Sequence, residues 1–397
     1  MENRSGSTLV GAILIIFAAI FAHSASGLQG GIRPQHDKVV VCYMSSWATY
    51  RKGRGEFGFK ELHVEHCTHL VYAFAGLNAS TSSIRSIDPW ADLEEDGAKA
   101  GYKKATGLRN RHPGLKVTLA IGGWNEGSAN YSALAASSER RRTFVNSALQ
   151  FLRKHDFDGL DLDWEFPAQR GGAPYDKQNF VSLARELSNA FKNKGLLLTA
   201  AMGAGIATIN AAYDIPELSK YLDYIHVMAY DYHGAWNQKV LANAPLHHAA
   251  DDLTVEDSIR YLLKLGAPPS KLVLGLPMYG RTFTLTSMPT SPSGSPMGAD
   301  AQSTGFRGPY TNEDGFMGYN EICTELINKT LGWRRGWDDA SATPWAVRED
   351  KVITYDDPKS MMMKADFASE MHLAGVMVWS LDTDDFRGDC ATDHDGF

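Results

Sequence analysis

Apolar, β-branched runs recur along the chain: KVVVCYMSSWA from Lys38, HLVYAFAGL from His69, KVTLAIGGW from Lys116 and FDGLDLDWEF from Phe157. They continue as LLLTAAMGA from Leu196, YIHVMAYDYHG from Tyr224, KLVLGLPMYGR from Lys271 and GVMVWSLD from Gly375. Eight buried strands are expected. Between several of them the apolar residues recur at helical spacing, as in SSERRRTFVNSALQFLRKH ending at His155 and DKQNFVSLARELSNAFKNK ending at Lys194. Strands joined by helices run parallel, because only a crossover returns the chain to the same edge. Eight such units predict an α/β fold, a (β/α)8 TIM barrel. A doubly wound open sheet would need a Gly-rich dinucleotide turn after its first strand, and residues 42–50 hold none. The interval 281–375 is far longer than the others and contains SMPTSPSGSPMG, GYNEIC and KVITYDD. A small α+β insertion at about 282–356, between strands seven and eight, is expected there.

One run breaks the apolar pattern. FDGLDLDWEFP, residues 157–167, carries Asp161, Asp163 and Glu165 at every second position, so they share one strand face while Leu160, Leu162 and Trp164 take the other. In a barrel the apolar set packs under the helices and the acidic set lines the interior. Crowded carboxylates in a low-dielectric interior share protons, and at least one stays protonated near neutral pH. Glu165 is expected last in the strand, at the C-terminal mouth where barrel enzymes work, as a general acid.

Composition narrows the function further. With 44% hydrophobic and 21% charged residues in 397, the chain has material for a large core. A net charge of -7 without a basic stripe excludes a nucleic-acid binder and favours a neutral or polar substrate. Arg4, the apolar run at 9–22 and the small residues Ser24, Ala25 and Ser26 predict a secretory signal peptide over 1–26, leaving 27–397 as the mature domain. That run falls short of the ~20 apolar residues a spanning helix needs, so no membrane contact is expected after cleavage. In a secreted chain Cys42, Cys67, Cys323 and Cys390 are candidates for two disulfides, with three pairings open. Asn78, Asn130 and Asn328 stand in glycosylation sequons.

The motif DGLDLDWE resembles the DxxDxDxE signature of family-eighteen glycoside hydrolases, the chitinases. CYMSSWATYR, LAIGGWNEGS, MAYDYHG, LPMYGR and VMVWSLDTDDF carry the same resemblance in order and spacing from about residue 38 to 390. The resemblance implies a secreted, monomeric endochitinase that hydrolyses β-1,4-linked N-acetylglucosamine polymers with retention and needs no cofactor or metal. Chitin or chito-oligosaccharides are the implied partners. It makes Glu165 the proton donor to the glycosidic oxygen. Asp163, sharing a proton with Asp161, and Tyr230 would hold the substrate's acetamido group, whose carbonyl oxygen attacks the anomeric carbon, an exception to the two-carboxylate rule. Trp379 resembles the floor of the cleavage subsite, and Trp47, Trp124 and Trp236 resemble sugar-stacking residues. Tyr43, Met228, Asp231 and Arg281 complete the implied substrate contacts, although Asp231 and Arg281 equally suit a structural ion pair. The disulfides implied are Cys42–Cys67 and Cys323–Cys390.

The rival class is a chitinase-like lectin or growth factor that keeps the groove without turnover. Replacement of the catalytic Glu is its usual mark, and Glu165 is present. His247, His248, Asp251 and Asp252 invite a metal reading, but a solvated loop is expected. The RGD at 387–389 and the DHDG at 393–396 are expected to carry no function. Relatives in the family usually continue beyond this point into a final helix beside strand one. Without that helix, exposed apolar barrel surface and lower stability are expected.

Overall fold

All eight apolar runs are strands of one sheet. The computed structural model describes residues 36–247, 251–288 and 294–390; the expected leader, His248 and the tail after Cys390 lie outside them. In chain order come β1 (Val39–Ser45), β2 (His69–Asn78), β3 (Ser83–Ser86), β4 (Lys116–Gly122), β5 (Gly159–Asp163), β6 (Leu197–Gly203), β7 (Tyr224–Met228) and β8 (Leu272–Pro277). The short β3 folds back antiparallel on β2. A last strand, β14 (Gly375–Trp379), pairs in parallel with both β8 and β1, and β1 with β2, so the eight parallel strands close into a (β/α)8 barrel.

Alternation separates two cores. From β1, Val40, Cys42 and Met44 join the large apolar layer beneath the helices, while Val41 and Tyr43 point into the barrel with Val71, Ala120, Val273 and Met377. The helices answer with matching stripes. Ser138–Lys154 starts at Ser137, whose side chain accepts from Arg140 N, and buries Phe144, Val145, Ala148 and Leu152 at helical spacing. Asp176–Phe191 buries Phe180, Leu183, Ala184, Leu187 and Phe191 in the same way.

Strand β2 departs from strict alternation. Its register with β4 slips between Tyr72 and Ala75. Below the slip Val71 and Ala73 face inward; above it Phe74 joins the barrel interior and Ala75 and Leu77 the outer layer.

Between β8 and β14 lies a second sheet, antiparallel, in the order β10 (Phe316–Gly318), β9 (Tyr279–Thr284), β13 (Lys351–Thr354), β12 (Thr343–Arg348) and β11 (Arg334–Asp338). Its first strand begins at Tyr279, inside the LPMYGR run that hydrophobicity assigns to the barrel, because both strands read as one apolar stretch. The helix Tyr319–Ile327 packs on it, and Cys323 in that helix bonds to Cys390, Cα–Cα 5.9 Å. Cys42 on β1 bonds to Cys67, just ahead of β2, Cα–Cα 6.0 Å.

Candidate active site

Because the barrel strands are parallel, whatever follows their C-terminal ends gathers at one mouth. Trp47 lies in the turn after β1, Trp124 after β4, Glu165 after β5, Tyr230 and Asp231 after β7, and Trp379 ends β14.

Strand β5 supplies the carboxylates. Leu160, Leu162 and Trp164 join the outer layer, while Asp161 and Asp163 are buried inside the barrel. Glu165 is not the last residue of the strand, as the apolar pattern suggests: the ladder ends at Asp163. Its neighbours have gone. Pairing with β6 stops at Leu162↔Ala200, and β4 turns away at Gly122 and Gly123, both at positive φ. A Cβ at Gly122 would stand 2.1 Å from the Asp163 carbonyl oxygen, so only glycine allows the close approach in which Gly123 N donates to that oxygen at 2.8 Å. Beyond it, Trp164 Nε1 donates to Ser128 Oγ at 2.6 Å, and Ser128 Oγ donates to the Phe166 carbonyl at 2.7 Å. Glu165 thus sits half-buried on a loop pinned to the β4 side.

The three carboxylates have different electrostatics. Burial alone would raise Asp161, but His226 beside it and hydrogen bonds from His226, Thr199 and Tyr43 hold it below the usual carboxylate range. Thr199 Oγ1 donates to Asp161 Oδ1 at 2.5 Å, the Tyr43 hydroxyl donates to Oδ2 at 2.6 Å, and His226 Nδ1 lies 3.2 Å from Oδ1. Asp163 is less supported: its Oδ1 is buried with no hydrogen-bond partner among the described residues. Burial, then the charges of Glu165 and Asp161, push it well above the usual range. Burial pushes Glu165 up to about 7, with the Arg170 guanidinium opposing and Asp231 adding. The set therefore combines a carboxyl held below the ordinary range, one pushed well above it, and one that titrates near neutrality.

Tyr230 faces the same interior, its hydroxyl 3.8 Å from Met377 Sδ, with β7 already ended at Met228. Met228 and Trp379 pack against the inner cluster. Tyr43 meets Trp379 edge-on at 5.5 Å, and Trp47 stacks on Phe74 at 5.8 Å and 13°, with Trp379 6.3 Å away. Trp47 is 42% exposed, Trp124 59% and Trp236 52%, far above what a core indole shows. Trp124 and Trp236 stand apart from that aromatic group, each with an arginine over its ring: Arg170 3.4 Å and Arg281 5.1 Å from the centroid. Asp231 and Arg281 form an ion pair at 2.7 Å, with Asp231 still 40% exposed at the side chain.

Four residues of this site escape the sequence motifs. Thr199 and His226 lie at inward positions of β6 and β7, a signal that alternation carries, whereas Phe74 depends on the register slip and Arg170 on a loop. The remaining candidates fall elsewhere. His247 bonds to Glu256 at 2.7 Å and Asp251 lies 3.2 Å from His233 Nε2, two separate pairs. Within RGD, Arg387 donates to the Glu56 carbonyl at 2.7 Å and Asp389 accepts from Arg54 at 2.9 Å, so both charged ends are engaged. Asn130 and Asn328 are exposed and Asn78 is half-buried.

Comparison with known proteins agrees with the barrel. The family described as Glycosyl hydrolases family 18 matches residues 39–384. The chain is 52% identical over 390 residues to probable chitinase 2 of Drosophila melanogaster, covering 95% of this chain and 79% of that protein. It is 40% identical over 361 residues to an endochitinase of Manduca sexta, covering 88% of this chain and 64% of the relative. Among solved structures it resembles the Group IV chitinase of Ostrinia furnacalis in complex with allosamidin, with a TM-score of 0.84 and 40% identity over 89% of this chain and 95% of that one.

Proposed function

The chain belongs to the glycosyl hydrolases of family 18, and from that premise we propose that it is a secreted endochitinase that cuts β-1,4 bonds between N-acetylglucosamine units with retention, the substrate's own acetamido group serving as nucleophile. It is a glycoside hydrolase, and its relatives with chitinase names support chitin as the polymer. One observation carries the mechanistic reading: Asp163 is buried with an unpartnered acceptor oxygen, beside a Glu165 whose carboxyl titrates at about 7.

In this reading Glu165 gives its proton to the glycosidic oxygen as the bond to the anomeric carbon breaks, and the acetamido carbonyl oxygen closes on that carbon. The Asp163 oxygen accepts the acetamido N–H, which tightens the angle of attack and stabilises the positive charge of the resulting oxazolinium ring. Tyr230 hydrogen-bonds the same group. Glu165, now a carboxylate, takes a proton from water as the water opens the ring, so both displacements occur on one carbon and the configuration is retained. Asp161, fixed by Tyr43, Thr199 and His226, keeps its charge beneath Asp163 and favours a proton on Asp163 before substrate binds. Trp47, Trp124, Trp236 and Trp379 offer flat apolar plates to pyranose faces, and Asp231 and Arg281 offer hydrogen bonds to hydroxyls. Secretion rests on the apolar run at 9–22 and on two disulfides. No helix among the described residues is long and apolar enough to cross a membrane.

The test compares polymers. Acetylated oligomers should be cut in their interior and release the β-anomer first, while fully deacetylated chitosan binds and resists cleavage. Rapid cleavage of the deacetylated polymer, or a sugar covalently bound to Asp163 in a mass spectrum, overturns the mechanism.

A further inference from the structure

The acid's loop is fastened to the Trp124 turn by one side chain that no motif contains. Arg170 Nη1 donates to the Glu165 carbonyl and Nη2 to the Trp124 carbonyl, both at 2.9 Å, while its guanidinium lies on the Trp124 ring, 3.4 Å from the centroid. The residue sits at φ +49, a left-handed conformation unfavourable for arginine, so surrounding contacts hold it there. Those contacts are on the page: Ser128 holds the Phe166 carbonyl, and Asp176 accepts from Ala168 N at 3.2 Å and Ala173 N at 2.7 Å, which bounds the loop on both sides.

The two arginine–tryptophan plates differ in charge. Arg281 beside Trp236 is paired with Asp231. Arg170 has no carboxylate within ion-pair distance among the described residues; its hydrogen bonds go to neutral carbonyls, so its charge is left for its surroundings. The titratable and charged groups acting with Glu165 are Asp163 from β5, Tyr230 and Asp231 from the segment after β7, Tyr213 after the helix Ile206–Ala212, and Arg170 from its own loop. Arg170 is the cation of that group.

We propose that Arg170 is a positioning residue for the hydrolysis: it locks the Glu165 backbone and the Trp124 plate into one unit, so that a sugar seated on Trp124 meets the acid at a set distance, and it supplies a positive charge that acts on the acid. This rests on the assignment of Glu165 as the acid. Planarity matters here, because a guanidinium bridges two carbonyls and stacks at once, whereas an ammonium is a point charge.

Two variants separate bridge from charge. Arg170→Lys keeps the charge and loses the fork: kcat on chito-oligosaccharides should fall about 10–10²-fold, the cost of a misplaced acid, with the alkaline limb of its pH profile unmoved. Arg170→Gln loses both: kcat should fall at least as far, and the alkaline limb should move to higher pH, because removing a cation favours the protonated acid. In a Glu165→Gln background, calorimetry should also find weaker oligosaccharide binding when Arg170 is replaced. A normal kcat in Arg170→Lys overturns the bridging role. An unmoved limb in Arg170→Gln, even with reduced kcat, overturns the electrostatic one and leaves only a loop anchor. Full activity in Glu165→Gln alone would instead defeat the assignment of the acid.

Discussion

Glu165 and Glu321 are the same side chain, one half-buried at the barrel mouth and one fully buried in the lobe, and their surroundings are opposite. Glu321, fully buried in the helix of the inserted lobe, accepts from Tyr310 N, from Thr311 N at 2.9 Å and Thr311 Oγ1 at 2.7 Å, and from Gly318 N at 2.8 Å. Each oxygen of that carboxylate has two donors, so the charge is hydrogen-bonded in place of water and fastens the 308–318 loop. Around Glu165 stand the carboxylates of Asp163 and Asp231, opposed by the charge of Arg170, and burial raises it to about 7. Satisfied burial makes a staple; unsatisfied burial makes a reagent. The fold tolerates the second because barrel and lobe supply stability elsewhere.

A single substitution, Glu to Gln, tests the contrast at both positions. The largest effect is expected in turnover: Glu165→Gln keeps shape and cannot deliver a proton, so hydrolysis should fall ~10²–10⁴-fold while oligosaccharide binding survives. Near-normal rates would remove the distinction. Next in size, Glu321→Gln turns an amide NH2 toward N–H and O–H donors and should lower unfolding free energy by about 1–3 kcal/mol in denaturant titration, with kcat per folded molecule retained. An unchanged midpoint would mean the four donors contribute nothing net. The smallest effect has the reverse sign. Because Glu165 titrates higher folded than unfolded, the native state holds more protons between the ordinary Glu range and about 7, and stability falls as pH rises through that window. Glu165→Gln escapes this loss, so its melting temperature should exceed the parent's at pH 8, by the equivalent of ~0.5–2 kcal/mol, and match it near pH 4. A variant that melts lower at pH 8 would mean that the ionised acid is well solvated after all.

The barrel was legible because two apolar sets, one facing in and one facing out, make each strand a continuous hydrophobic run. The eight runs therefore stand out even where charge interrupts them. Strand ends were not legible, since a ladder stops where a neighbour leaves: β5 ends at Asp163 because β4 turns at Gly122 and Gly123, which nothing between 157 and 167 reveals. The partners of Asp161 come from β1, β6 and β7, and Thr199 and His226 look locally like any inward strand residues. Arg170 lies in a polar loop with no period to mark it.

The register slip in β2 imposes a constraint of parity. Up to Ala73 the odd-numbered residues of that strand belong to the interior; beyond it they belong to the outside, and Phe74, an even position, stacks beneath Trp47. The strand therefore reads as two alternating codes joined out of phase. Substitutions within either half change one contact, whereas losing one residue at the join would let a single alternation run through with every side chain above it kept on its present face, and losing one within either half would turn the side chains beyond it over between groove and helix layer. The join should therefore tolerate the loss of a residue that the regular halves of the same strand reject.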